Sequence, residues 1–549
     1  MKNAIAIIIS IFIAFYFWAG FSFISKSAAT YDETIHLSSG YSYIETGKYY
    51  INIMDHPPLS EMIAAIPLRF MRLNSFVSHK FFVNFMPYSY ADLFIYKNNE
   101  DAEKILNSAR VFVFILWSSA FIIAFYIIGR LLFKEYYFIP IILFLVNPLF
   151  ISNLSLITTD AAPSFFYFIS FIIVYLIVFK EEYKLKILNN PYSLSILAGI
   201  INGLAITSKY SMFITPPLWC FSLIFLNIFC GNLKFSKVMK IILLNLILTI
   251  LTILAVFKGD FNLFCKALYE TFMRLDNGRS FFINGVYGTQ GVWWYFPMAF
   301  FYKNSILLVL SFLLGIYFVL KDWRKYFWLI APLFSYLGLS FMAKVNIGIR
   351  HLLPAIPFII IVSSTAIVYA LKKFKLKAFI IISSLFIFSF YHLLKAHPFY
   401  LGYFNEFIGH ENGYKYLVDS NLDWGQDIKT LAEYLKKNGN PPIILSYFGS
   451  ANPNYYQIKF IPLLSIASYN IEPNEKLEMK NFKRILLAVS ATNLQGVYYP
   501  DKNIFAFLKN IKPIYVAGNS IFLYDITDNK DALNRVHWES LFEQKTKDF

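Results

Sequence analysis

Cysteine is nearly absent from this sequence, and charge is scarce. The three cysteines, Cys220, Cys230 and Cys265, form no CxxC pair. The first two lie in one apolar run, too far apart along a helix to bridge. Neither a disulfide framework nor a thiolate metal site is indicated. Charged residues make up 15% of the chain and hydrophobic ones 57%. With a mean hydropathy of +0.52, this excludes an ordinary soluble protein. Glycine-rich phosphate loops are also missing, since Gly285-Val286-Tyr287-Gly288 is too weak a match. That argues against a nucleotide-sugar donor, which favours a soluble nucleotide-binding fold. The net charge of +16 sits in short Lys/Arg clusters between apolar runs, not along a face with interleaved aromatics, so nucleic-acid binding is set aside.

What is present is a series of apolar runs of spanning or near-spanning length, near 4–25, 107–129, 138–152, 161–179, 193–208, 212–230, 238–257, 305–320, 326–342, 352–371 and 376–393. The first precedes Ser27-Ala28-Ala29 but exceeds the roughly 7–15 residues of a signal-peptide core, so it reads as an uncleaved span. With Lys2 cytoplasmic, fifteen basic residues fall in the short inner turns: Arg130, Lys134; Lys180, Lys184, Lys186; Lys234, Lys237, Lys240; Lys321, Arg324, Lys325; Lys372, Lys373, Lys375 and Lys377. The opposite connections after the first hold eight: Lys209, Lys258, Lys266, Arg274, Arg279, Lys303, Lys344 and Arg350. This asymmetry follows the positive-inside rule. It places the N-terminus in the cytoplasm and the tail from 394 outside. The expected organisation is a membrane domain over 1–393, with large outer loops at 26–104 and 258–303, and a soluble extracytoplasmic domain over 394–549. Within 26–104, the stretch 63–73 is amphipathic enough to lie along the interface. In the tail, strands are expected near 443–448, 484–489, 513–516 and 521–526 and a helix over 427–437, a small α/β or α+β fold.

The unusual polar clusters share one side. Asp32-Glu33 with His36, Asp55-His56-Pro57-Pro58, Thr158-Thr159-Asp160, Lys209-Tyr210, Lys303-Asn304 and Arg350-His351 all fall at outer helix ends, and the membrane centre is nearly free of ionisable groups. A coupled transporter carries such groups near the midplane, so that class is demoted. Bland readings exist for each cluster. Adjacent acids often start a helix, His-Pro-Pro can stop an element, and Lys209 can snorkel from a helix end. Arg350 at a helix start opposes the helix dipole and calls for an anion. Together the clusters suit an enzyme acting on a lipid-borne phosphate, with cations for the phosphate and a carboxylate for the acceptor's proton.

In their order, these clusters resemble the lipid-carrier-dependent glycosyltransferases of family 39, in the GT-C superfamily. That group includes the protein O-mannosyltransferases and is related to the lipid A aminoarabinose transferase. The resemblance rests on Tyr31-Asp32-Glu33, Ser39-Gly40-Tyr41, Thr46-Gly47-Lys48-Tyr49 and Asp55-His56-Pro57-Pro58-Leu59. It continues through Thr158-Thr159-Asp160, Ser208-Lys209-Tyr210, Trp294-Tyr295-Phe296 with Lys303, Gly348-Ile349-Arg350-His351 and Asp419-Ser420-Asn421-Leu422-Asp423-Trp424, covering most of 1–430. Two departures stand out: His36 is one residue later than the histidine of the O-mannosyltransferase pattern, and Ser60-Glu61 replaces its Gly-Lys. Trp293-Trp294 is followed by Tyr295, so the Trp-Trp-Asp acceptor signature of oligosaccharyltransferases is absent.

The resemblance implies an α-helical polytopic GT-C-like fold with about eleven transmembrane helices. It also implies a hexosyl- or pentosyltransferase, mannosyltransferase-like, drawing on a polyprenyl- or dolichyl-phosphate sugar and transferring with inversion to a lipid, glycan or protein acceptor. By carry-over, Asp32 is the base and Glu33 its neighbour, and Asp55 and His56 lie near the donor's phosphate and sugar. With the loop lysine missing, the phosphate falls to Lys209, Arg350 and Lys303, with His351 beside them, while His36 and Asp160 complete the site. No cofactor is indicated with certainty; a divalent metal on His36, Asp55, His56 or His351 stays open, although their spacing fits no metal motif. A polyprenyl-phosphate-sugar flippase and a non-catalytic membrane assembly protein are the alternatives.

Overall fold

The structure is a computed structural model that describes residues 2–179, 190–231, 233–463, 465, 471–479 and 482–536. Lys180, Lys184 and Lys186 lie outside the described residues. The chain is a polytopic α-helical membrane protein carrying a small C-terminal sheet domain. Among the described residues, seven helices are long and apolar enough to cross a membrane: Asn3–Lys26, Ala102–Tyr136, Ala161–Phe179, Pro191–Ser208, Tyr210–Cys230, Phe235–Val256 and Ile349–Lys395.

The other expected runs take different forms, for local reasons. The run 138–152 breaks into Phe138–Leu145 and Pro148–Asn153, because Asn147 caps the second piece through Leu149 N and Pro148 sits at its start. Ile306–Lys321 is only 16 residues long, and Trp323–Met342 carries Pro332 inside it. The runs 352–371 and 376–393 are two helices that meet at Lys375 within the 40-residue stretch Ile356–Lys395. A straight helix of that length would reach about 60 Å, roughly twice the hydrocarbon core. Lys375 interrupts it with φ 45°, and the arms run back to the same end: Arg350 reaches Asp32 while His392 reaches the Phe404 carbonyl.

Polar groups cross-link the bundle where apolar contact alone would leave the helices free to slide. Ser170 and Asn202 bond at 2.5 Å, Asn202 continues to Asn245 at 3.1 Å, and Ser195 donates to the Ile241 carbonyl. The tail sits on one end of the bundle. Lys26 at the end of the first helix, α1 (Lys2–Lys26), pairs with Glu433, Tyr455 donates to Asp101, and Lys429 pairs with Glu103. The basic turns gather at the other end, where Lys372 lies over the Tyr136 ring and Arg324 over Phe229.

The tail contains a five-stranded mixed sheet in the order β4-β3-β5-β7-β6, made of β3 (Ile443–Ser446), β4 (Phe460–Pro462), β5 (Leu486–Ser490), β6 (Tyr515–Ala517) and β7 (Ile521–Asp525). β3 and β5 are parallel with Ile444 opposite Leu487, and β5 and β7 are antiparallel. Their uninterrupted apolar runs are buried throughout, as expected of strands covered on both faces. Sequence reading misses the edge strand β4, which is short and ends in proline. It also misses the hairpin of β1 (Phe281–Ile283) and β2 (Val286–Gly288) in the 258–303 connection. There Asn284 and Gly285 both take positive φ, the Asn-Gly turn of a tight hairpin. Gly285 therefore serves a turn, not a phosphate.

Candidate active site

Two helices of the 26–104 connection, α2 (Glu33–Thr46) and α3 (Leu59–Ala65), build one wall of the site. Asp32 stands at the N-cap position of α2, but its carboxylate makes no cap bond. It accepts instead from Arg350 Nη2 at 3.2 Å, across 318 positions of sequence. The bland reading of Asp32 as a helix starter therefore fails. Glu33 turns the other way. Its carboxylate accepts five hydrogen bonds, from Arg110 Nε and Nη2, Thr30 N and Oγ1, and Ile157 N. Burial opposes its charge, but the Arg110 guanidinium and these donors hold it below the usual carboxylate range.

From Asp32 a chain of alternating charge runs inward. Arg350 Nη1 donates to Asp160 Oδ2 at 3.2 Å, and Lys209 Nζ to Asp160 Oδ1 at 2.5 Å. Burial would raise Asp160, but Lys209 and Arg350 hold it well below the ordinary value. The third donor of Arg350, Nε, goes to Ser420 Oγ at 3.2 Å, and its guanidinium lies 4.3 Å from the Trp424 ring centre. Gly348 permits this approach, because a Cβ there would collide with Ser420 Oγ. The bundle and the tail thus grip Arg350 together.

A second network fills the space between α2 and α3. His36 Nδ1 lies 2.8 Å from Glu61 Oε1, Asn52 donates to the same oxygen at 2.5 Å, and the Tyr49 hydroxyl is 2.8 Å from Glu61 Oε2. Burial disfavours charge on His36, yet the Glu61 bond and charge raise it above its ordinary value. His56 bonds Thr159 Oγ1 at 3.2 Å through Nδ1. Desolvation and the charges of His36 and Lys209 push it well below the ordinary range.

These elements enclose a cavity of about 380 Å³ at the tail end of the bundle. Asp32, His36, Asp55, His56, Arg350 and His351 all line it. Arg274, Arg279, Asp419, Trp424, Phe448 and Tyr498 join them. Arg274 pairs with Asp55 at 2.7 Å, and Arg279 lies within electrostatic reach of Asp32 and Asp55. Asp419, held at φ 56°, accepts from the Tyr498 hydroxyl at 2.5 Å, and burial pushes its carboxyl up to about 6. Its signal in the sequence was the Asp419–Trp424 stretch of the resemblance. The two arginines appeared there only as scattered outer charge.

Comparison with known proteins reaches the structures only. No family model matches the sequence, and no curated protein matches it. Among solved structures, the chain is similar to ArnT from Cupriavidus metallidurans in the apo state, at 10% identity and a TM-score of 0.49, covering 95% of this chain and 98% of that one. The same protein bound to undecaprenyl phosphate aligns at 0.48 with 10% identity and the same coverage. An oligosaccharyltransferase from Archaeoglobus fulgidus, in complex with Zn and sulfate, aligns at 0.40 and 12% identity over 82% of this chain and 62% of that one. Identities this low and scores below 0.5 leave the reading of the site to its own geometry.

That geometry places four of the expected residues behind the cavity wall. Glu33 is consumed by Arg110, Asp160 by Lys209 and Arg350, and Lys209 by Asp160. Lys303 is buried and donates to the carbonyls of Leu401 and Asn421 at 2.8 and 2.6 Å, over the Phe404 ring. Burial pushes it well below its ordinary value; it ties the tail to the bundle and does not line the cavity. Among the described residues, no group of three or more His, Cys, Asp or Glu is placed to hold a metal.

Proposed function

We propose that this chain is a membrane glycosyltransferase that moves a monosaccharide from a polyprenyl- or dolichyl-phosphate carrier to an acceptor on the extracytoplasmic side. One observation carries the reading. A cavity at the tail end of the bundle sets the Asp32 carboxylate, 28% exposed, beside Arg350, with Arg274 and Arg279 also lining it. The motif order along 1–430 supports the carrier class, and the basic turns at the opposite end support the orientation.

The step is a single displacement. The acceptor's oxygen or nitrogen bonds to the anomeric carbon, the carbon–oxygen bond to phosphate breaks with its electron pair staying on the phosphate, and the acceptor proton passes to Asp32. One displacement inverts the configuration. Phosphate is already a good leaving group, so cations suffice and no acid is needed. Arg350 bonds Asp32, Asp160 and Ser420, and its part is to orient Asp32. Arg274 and Arg279 supply positive charge at the cavity.

The test is to reconstitute purified protein in liposomes with radiolabelled polyprenyl-phosphate sugars and to fractionate the label among lipid, glycan and protein. Asp32→Asn protein that inserts normally should transfer at least about a hundredfold more slowly. Label that crosses the bilayer without changing carrier would identify a flippase and sink the transferase reading.

A further inference from the structure

The cations the sequence offered for a phosphate are committed elsewhere. Lys209 is bound to Asp160 and Lys303 to backbone carbonyls, and Arg350 spends three of its five N–H groups on Asp160, Asp32 and Ser420. At position 61, where the resembling loop has lysine, this chain has a glutamate, and Glu61 is buried at 1% exposure. Glu61 is oriented by packing: a Cβ at Gly40 would collide with the Glu61 carbonyl oxygen, so this glycine lets α3 lie close against α2. The carboxylate then meets His36, Asn52 and Tyr49. Among the described residues, His36 is the one basic group bonded to it.

His36 is bound at Nδ1 alone. Its Nε2 is buried without a hydrogen-bond partner in a residue that lines the cavity. A buried N–H left unmade is costly, and a buried carboxylate is stable only with a compensating charge. One arrangement answers both requirements. We infer that His36, held as an imidazolium by Glu61, donates its Nε2–H to the phosphate of the lipid-linked donor. The charge inversion at position 61 thus moves the positive charge from α3 to α2 and does not remove it from the site. The inference rests on the reading of the cavity as a lipid-phosphate site. The raised affinity of His36 for its proton accords with it.

The groups that face His36 are Glu61 and Asn52 on one side, the His56 ring 5.1 Å away, Asp32 on its own helix, and Arg350. His56 is held well below its ordinary range, in part by the charge of His36. Anion binding and protonation of His36 are therefore linked.

The experiment measures binding of farnesyl methyl phosphate, a diester of constant charge, to the full-length protein in nanodiscs between pH 5.5 and 8. Wild-type affinity should fall as His36 loses its proton. Glu61→Gln should bind within about twofold of wild type at pH 5.5 and about tenfold more weakly at pH 7.5, because the fall moves to lower pH. The double variant His36→Gln/Glu61→Gln, which leaves no buried charge unpaired, should bind about tenfold more weakly at both pH values. A wild type that does not bind the diester, a Glu61→Gln profile identical to wild type, or a double variant with wild-type affinity would each overturn the assignment. So would unchanged binding with loss of sugar transfer, which would make His36 a proton acceptor. If His36-dependent binding holds and no sugar moves, only the transferase reading falls.

Discussion

At the scale of single residues, neighbours in sequence have separate work. Asp32 opens on the cavity, whereas Glu33 is buried against Arg110. Removing one partner of a buried ion pair leaves an uncompensated charge, at a cost of about 3–5 kcal/mol. Glu33→Gln should therefore lower the melting temperature and the yield of folded protein, while Glu33→Gln/Arg110→Met recovers part of both. Differential scanning fluorimetry in detergent measures this. If the single variant melts like wild type, the ion pair is not structural. Asp32→Asn should behave oppositely, with normal melting and lost transfer. The acid pair itself was legible in the sequence, but its division of labour was not, because the partners lie 77 and 318 positions away.

At the scale of elements, the helix Tyr295–Lys303 ends on a lysine that holds the tail. Lys303→Met removes its hydrogen bonds to Leu401 and Asn421, so limited proteolysis should release the 394–536 region faster. Transfer by the intact fraction should stay within about threefold, since Lys303 does not touch the cavity. A loss of transfer without looser docking would return Lys303 to the phosphate. The turn leading into the helix Ile428–Lys437 carries a pH effect. Burial, opposed by the Thr492 bonds, raises Asp423 to about 7. A carboxyl with a raised folded-state value binds more protons folded than unfolded between about pH 4 and 7. Its contribution to stability is therefore lost as pH rises through that window. Melting followed by tryptophan fluorescence should fall from pH 5 to pH 8, and Asp423→Asn should flatten part of the fall. A variant with the same slope as wild type would show that Asp423 does not drive it.

At the scale of the whole molecule, the tail and the basic turns occupy opposite ends of one bundle. In a variant without its three native cysteines, Lys437→Cys and Lys373→Cys should therefore react with impermeant maleimide from opposite sides of intact cells, Lys437→Cys from outside. Labelling of both from one side would refute the orientation.

The sequence by itself determined the class of the protein, the places of most of its long apolar helices and the set of polar residues that gather at one end, because hydropathy and the placement of Lys and Arg are local and additive along the chain. Short and broken helices were harder to read. Asn147-Pro148 divides one run through backbone geometry that composition does not encode. Only the tertiary structure decided which charges face the cavity. A cation's availability depends on what it is paired with, and the pairs Lys209–Asp160, Arg110–Glu33 and His36–Glu61 form across 49, 77 and 25 positions of sequence.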